Sequence, residues 1–431
     1  MQLGWIDFSK TERDKVLNVM TMFSERGTVD ELGIAPVRDG FANLFFPGTS
    51  TIQTRAKYFL IVPYMCKSLE SSSISDSREF MRAWRDLEIS AGANILINNS
   101  DTAGVAGKNS LSEKVLQEAR TASVDKYKIS GMRSLNSKIG NTQIKWVKRW
   151  ASSIYWAGLK KYEIFKADNL SMGNYAAAIC SMKNNQKSRA LWGSRNDTYE
   201  ENMSDDLDAG KDGRLSFWSI PTYAKDWLEH ISMDLTYEEA EFLKKQIIKN
   251  CKGSMLAQVL ENNITEFIEI ESFDELESII DMFSDETKED WKLACDFSRF
   301  NYFLRVIYND IVWQGNNEMA LQEIEYYMPI LEDIAAIDID EILSSIQNIY
   351  PIHLKRFLKD AQNLMMKKDL DGLRELITKR EVLLKGSNRA KTKNPDKVEL
   401  SWFCGGMLNY RFSKAKVIVK DIMEGERRKN A

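Results

Sequence analysis

Pro47-Gly-Thr-Ser-Thr-Ile-Gln-Thr-Arg-Ala-Lys-Tyr-Phe59 carries more structural punctuation than any other part of the 431-residue chain. Upstream, Ser9 and Glu12 form a capping box that opens a first helix, expected to run to about Ser24, and Gly27 and Thr28 break it. Val29 to Gly33 reads as a short helical turn ended by a glycine, and Pro36 suits the first turn of a second helix bearing Val37, Phe41, Leu44 and Phe45 at helical spacing. Pro47 and Gly48 end that helix, Thr49 or Ser50 caps a third, and Pro63 sets its end near Val62. On this third helix Ile52, Ala56, Phe59 and Leu60 share an apolar face. Gln53, Thr54, Lys57 and Tyr58 share the other, with Arg55 on the border. Two short helices joined by a tight turn, with Gln53, Thr54 and Arg55 exposed, would make a helix–turn–helix reader of bases and phosphates. Such pairs are also common packing units in all-helical proteins, so both readings stand.

Outward from this stretch, the length points to more than one domain, and 43% hydrophobic residues with eleven tryptophans point to a folded chain. Few segments alternate with the period of a strand; short strands are expected at most near Trp5, Ile95 or Tyr127 to Ile129. The expected fold is mainly α: a multi-helix N-terminal domain over 1–183 with room for a helix–turn–helix or winged-helix element, a polar linker over 184–215, and a helical C-terminal domain over 216–431. The linker assignment rests on polar composition and on a change of charge sign between Arg195 and Glu200.

Several chemistries lack sequence support. The N-terminus has none of the features of a secretory signal, and no window holds about twenty uninterrupted apolar residues, so a cytoplasmic location without membrane insertion is expected. Cys66, Cys180, Cys251, Cys295 and Cys404 lack paired spacing, which leaves buried free thiols as the expectation. His230 and His353 are the two histidines, and neither has a metal-ligand partner at helical spacing. No nucleophile elbow, phosphate loop or dinucleotide fingerprint is present. Accordingly no catalytic residue, cofactor or metal is assigned.

Charge is segregated along the chain although the whole carries a net charge of −4. From Lys126 to Lys166, ten lysines and arginines face Glu163 alone. On a helix expected from Ile144 to Phe165, Arg149, Trp156 and Lys160 cluster opposite an apolar face, and Lys145 adds to the cationic run. A cationic face with an exposed tryptophan suits phosphate contact and base stacking; a solvated face whose Trp156 packs on another helix is the alternative. Beyond a capping box at Thr236 and Glu239, acids dominate Glu261 to Asp290, and no lysine or arginine occurs between Val306 and Leu354. Lys385 to Pro395 reads as a flexible basic loop, and a last helix is expected from Tyr410 to Met423.

Leu3-Gly-Trp-Ile-Asp-Phe-Ser9, Asp30-Glu-Leu-Gly-Ile34, Phe46 to Phe59, Gly405-Gly-Met-Leu-Asn-Tyr-Arg411 and Asp421-Ile422 together resemble an uncharacterised family of bacterial proteins. The resemblance implies an accessory role in anti-phage or restriction-like loci that also encode helicases and phospholipase-D-like nucleases; it implies no established activity. The sequence-level expectation is therefore a non-catalytic component of an antiviral-defence or DNA-processing assembly. It would hold nucleic acid through Gln53, Thr54, Arg55, Lys57, Lys145, Arg149, Trp156 and Lys160, and partner proteins such as a helicase or nuclease through its acidic helices. A metal-dependent nuclease and a purely structural adaptor are the alternatives.

Overall fold

The computed structural model describes residues 30–99, 102–106, 108, 138–139, 142–143, 147, 149–193, 216–346, 350–398, 401–403 and 405–430. It is mainly helical, as expected. In chain order the helices are α1 (Ala35–Phe45), α2 (Tyr58–Glu70), α3 (Ser77–Asn98), α4 (Ala151–Lys161), α5 (Met172–Gly193), α6 (Tyr237–Asn250) and α7 (Met255–Glu261). They continue with α8 (Asp285–Val312), α9 (Glu318–Tyr327), α10 (Leu331–Ala335), α11 (Ile339–Ser345), α12 (Ile352–Met366), α13 (Leu370–Lys385) and α14 (Phe412–Arg427). A two-residue antiparallel ladder pairs Lys138 with Gln143 and Ile139 with Thr142. Ile95 lies in α3, not in a strand, while Trp5, Tyr127 to Ile129 and the helix expected from Ser9 fall outside the described residues.

Local chemistry explains most helix starts. The Asp30 carboxylate accepts the amides of Ile34 and Ala35 at 3.0 and 2.7 Å, so it caps α1 from outside the helix. Asp76 caps α3 through the amides of Arg78 and Glu79, and Thr236 with Glu239 forms the expected capping box on α6. The start of α2 carries no side-chain cap, and its interior holds a proline. This Pro63 does not end the helix, because the run from Tyr58 to Cys66 is buried on every side and packing outweighs the lost hydrogen bond. The Thr51–Val62 helix is thus corrected: residues 46–57 form an irregular segment and the helix begins at Tyr58. No tight turn joins it to α1.

The chain divides into two compact units, each discontinuous in sequence: unit 1 is Met1–Phe46 with Glu269–Phe412, and unit 2 is Pro47–Ile268 with Ser413–Ala431. This differs from the sequential division expected at 184–215. Residues 183–193 belong to α5, where Lys183 donates to the carbonyls of Leu69 in the last turn of α2 and of Ser72 and Ile74 beyond it, and 194–215 lie outside the described residues. In unit 1, α9, α10, α11 and α13 pack on the long α8, and Phe41, Phe45, Phe46, Phe273 and Tyr410 form an aromatic core. In unit 2, α2 packs on α3 and α4, and α5 packs on α3.

Candidate functional site

Because residues 46–57 form no helix, their amides and side chains must be satisfied by tertiary contacts, and the Gln53 to Lys57 side chains serve this end. Gln53 is 1% exposed; its side chain donates to Gly48 O and accepts from Ser50 N, both at 3.1 Å, closing the turn on itself. The amides of Thr54 and Arg55 donate to the Tyr155 hydroxyl at 2.8 and 3.0 Å, and that hydroxyl donates to Arg55 O. Thr54 Oγ1 donates to Gly104 O at 2.6 Å. The Arg55 Nε lies 3.0 Å from both carboxylate oxygens of Asp421, whose Oδ2 also accepts the Ala56 amide. Lys57 Nζ donates to Glu239 Oε2 at 2.5 Å and to Asp234 O, and Tyr64 donates to the other Glu239 oxygen. The capping-box glutamate of α6 therefore also neutralises a lysine that is 6% exposed.

Exposure of Gln53, Arg55 and Lys57 on a recognition helix is consequently corrected: all three are buried within unit 2. Burial pushes the Asp421 carboxyl up from its ordinary value, against the pull of the Arg55 guanidinium, and it pushes the Tyr155 phenol up to about 12. The Gly48 backbone, at φ +79°, approaches Tyr162, and Gly158 of α4 leaves room for Gly48 O and the Phe59 ring.

The cationic face expected around Arg149, Trp156 and Lys160 is also rearranged. The helix is shorter, Ala151–Lys161, and the buried Glu88 of α3 caps it through the Ala151 amide and the Ser152 amide and hydroxyl. Trp156 is 8% exposed, donates to Leu170 O at 3.1 Å, and meets Phe165 at 4.5 Å and Trp218 at 5.8 Å between ring centroids. It cannot stack on a base; the packing alternative describes it. Lys160 donates to Asp168 O at 2.8 Å, and partial burial lowers its pKa. Arg149 is half-buried before α4, and Lys145 lies outside the described residues.

Other lysines of unit 2 remain exposed together. Asn250 donates to Tyr162 O at 2.9 Å, which brings the C-terminal ends of α4 and α6 side by side with Lys161, Lys249 and Lys252 facing solvent. Lys249 reaches Glu163 at 3.3 Å. Cations at helix C-termini also favour the helix dipole, a stabilising role that needs no ligand.

In unit 1 the family-like blocks Asp30 to Ile34 and Gly405 to Arg411 line one cleft of about 430 Å³, and their charges are internally satisfied. Glu31 pairs with Lys385 and Lys391, and Arg305 donates to Gly406 O at 2.6 Å. Glu381, fully buried, accepts from Tyr308, Lys385 and Thr392. The segment read as a flexible basic loop is thus anchored at Lys385, Lys391 and Thr392. Arg411, at φ +68°, pairs with Asp39 at 3.6 Å and donates to Asn43 at 2.8 Å.

Unit 1 also holds every exposed large apolar side chain among the described residues, including Met319, Leu321, Tyr326, Ile330, Ile352 and Met407. Sequence periodicity missed these because several sit within the acidic helices, where the charges mark the solvent side. Cys66, Cys180, Cys251 and Cys295 are buried free thiols, with burial pushing Cys251 to about 11 and Cys295 to about 12. Among the described residues no group of three His, Cys, Asp or Glu side chains is placed to hold a metal ion. No helix among the described residues is long and apolar enough to cross a membrane.

By class, the described residues form a mainly helical protein of two compact units, each discontinuous in sequence. Residues 1–138 are similar to a family of unknown function, DUF6361. The matched span includes the blocks at 3–9, 30–34 and 46–59 and stops short of those at 405–411 and 421–422. No curated protein and no solved structure matches the chain.

Proposed function

We propose that this chain is a non-catalytic component of a bacterial antiviral-defence or DNA-processing assembly. It holds a protein partner such as a helicase or nuclease through the acidic helices of unit 1, and nucleic acid through the exposed lysines of unit 2. The observation that carries this reading is the surface chemistry: exposed apolar side chains interspersed with acids in unit 1, and exposed Lys161, Lys249 and Lys252 at the adjoining C-terminal ends of α4 and α6 in unit 2. Apolar anchors within a charged rim are the usual anatomy of a protein interface. The defence setting is drawn from the family resemblance.

Affinity capture of the tagged full chain from its native host tests the partner half. A helicase or nuclease is expected to co-purify and to be lost on joint Glu325→Lys and Asp333→Lys substitution; a chain that elutes alone overturns this half. For nucleic acid, a DNA titration across a salt series is expected to show log–log dependence whose slope falls by roughly one for each of Lys161→Glu, Lys249→Glu and Lys252→Glu that removes a phosphate contact. Binding without salt dependence, or none, overturns it. Metal-dependent cleavage of DNA by the purified chain would instead establish the competing nuclease reading.

A further inference from the structure

We infer that the groove between α8, the α9–α10 corner and Met407 in unit 1 receives an amphipathic helix of a partner protein, one whose apolar stripe is flanked by lysine and arginine. The groove encloses about 420 Å³ and is lined by Asp296, Arg299, Tyr326, Ile330, Asp333 and Met407 over a buried floor of Tyr327 and Ile334. Tyr326 is 69% exposed, Ile330 42% and Met407 44%, so three large apolar side chains stand in water around one depression. Tyr326 and Ile330 are four residues apart, a spacing that meets the i, i+3, i+4 anchors of a docked helix. Met407 supplies the adaptable thioether side chain common at helix-binding grooves.

Charge selects the occupant. The run from Ile307 to Leu354 that forms α9, α10 and α11 contains no lysine or arginine; Glu325 and Glu332 are sequence neighbours of Tyr326 and Asp333, which line the groove. Its cation, Arg299, is turned to Asp296 on its own helix at 3.7 Å. Glu332 is engaged by Lys368 at 3.0 Å, whereas Asp333 and Glu325 form no ion pair among the described residues. An acidic or neutral helix would leave these carboxylates facing like charge or nothing; a cationic one complements them and gains association rate as well. This inference rests on the partner-docking half of the proposed function and assigns that docking to one groove.

The test uses the full chain and a displayed library of helical peptides randomised on one face. Selection is expected to enrich peptides with apolar residues at i and i+4 or i+7 flanked by lysine or arginine. Their affinity should fall by roughly tenfold or more on Ile330→Arg or Tyr326→Ala, as for interface anchors. Asp281→Lys, an exposed position outside the groove, should leave affinity unchanged. Enrichment of acidic or non-amphipathic peptides overturns the inference, as does equal binding by the Ile330→Arg chain or self-association of the wild-type chain that this substitution abolishes. If native partners still co-purify with the Ile330→Arg chain, the groove assignment fails while the partner reading stands; if no partner co-purifies with the wild-type chain, the reading itself fails.

Discussion

Arg55 shows how little a residue type says about its task. An arginine among threonines and a glutamine after a Pro-Gly turn suggests phosphate contact, yet here it is ion-paired to Asp421, more than three hundred residues further along the chain. Removing one member of such a buried pair strands the other without solvent. Arg55→Met or Asp421→Leu is therefore expected to cost about 3–5 kcal/mol, whereas the two combined cost less than the sum. Chemical denaturation of the double-mutant cycle measures the coupling. A pH effect is expected at Asp290, whose carboxyl is raised to about 6 by partial burial and by neighbouring Glu286 and Glu289. From about pH 4 to about pH 6 the unfolded chain has lost a proton that the folded chain keeps, so stability from this group falls as pH rises through that window. Asp290→Asn should then match the wild type below the window and exceed its stability above it, read from urea midpoints at each pH.

At the scale of elements, the start of α6 was legible because its capping box, Thr236 with Glu239, is local; Asp76 and Ser284 cap α3 and α8 through equally local amides. Helix ends and interruptions were not. Pro63 reads as a stop by its backbone alone, but α2 is enclosed and the chain helical through it. The helix expected from Ile144 begins at Ala151, where the carboxylate of Glu88 arrives from a helix distant in sequence. Close approach between elements is set by Gly158, where an added Cβ would lie 2.4 Å from Gly48 O and 2.7 Å from Phe59. Gly158→Ala is expected to destabilise by about 1–3 kcal/mol or more despite the better helix propensity of alanine, a sign that thermal unfolding can read directly.

For the whole molecule, the two units interleave along the chain, so each needs segments from both ends of the sequence. In unit 2, α6 is joined to residues near the N-terminal third through Lys57 to Glu239 and to the C-terminal helix through Lys244 to Glu426 at 2.8 Å. Fragments 1–193 and 216–431 are therefore expected to be insoluble or unfolded when expressed singly and to give a folded protein when co-expressed. Soluble, cooperatively melting fragments on their own would argue for sequential domains. Size-exclusion chromatography and calorimetry of both preparations decide it.

The sequence alone determined the helical class, the placing of α1, α6 and α14 and the alternation of acidic and basic runs along the chain, because periodicity, capping and composition act over a few residues. The family-like stretch from Pro47 to Phe59 could not be read the same way. Its residue types fit an exposed recognition helix as well as a buried turn, and the choice depends on partners supplied by Tyr155, Asp234, Glu239 and Asp421. The same holds for Trp156, whose place in an aromatic cluster follows from Phe165 and Trp218 meeting it in space. Which polar groups are buried, and which apolar ones stay in water at Tyr326, Ile330 and Met407, is fixed by contacts distant in sequence, and only the tertiary structure decides it.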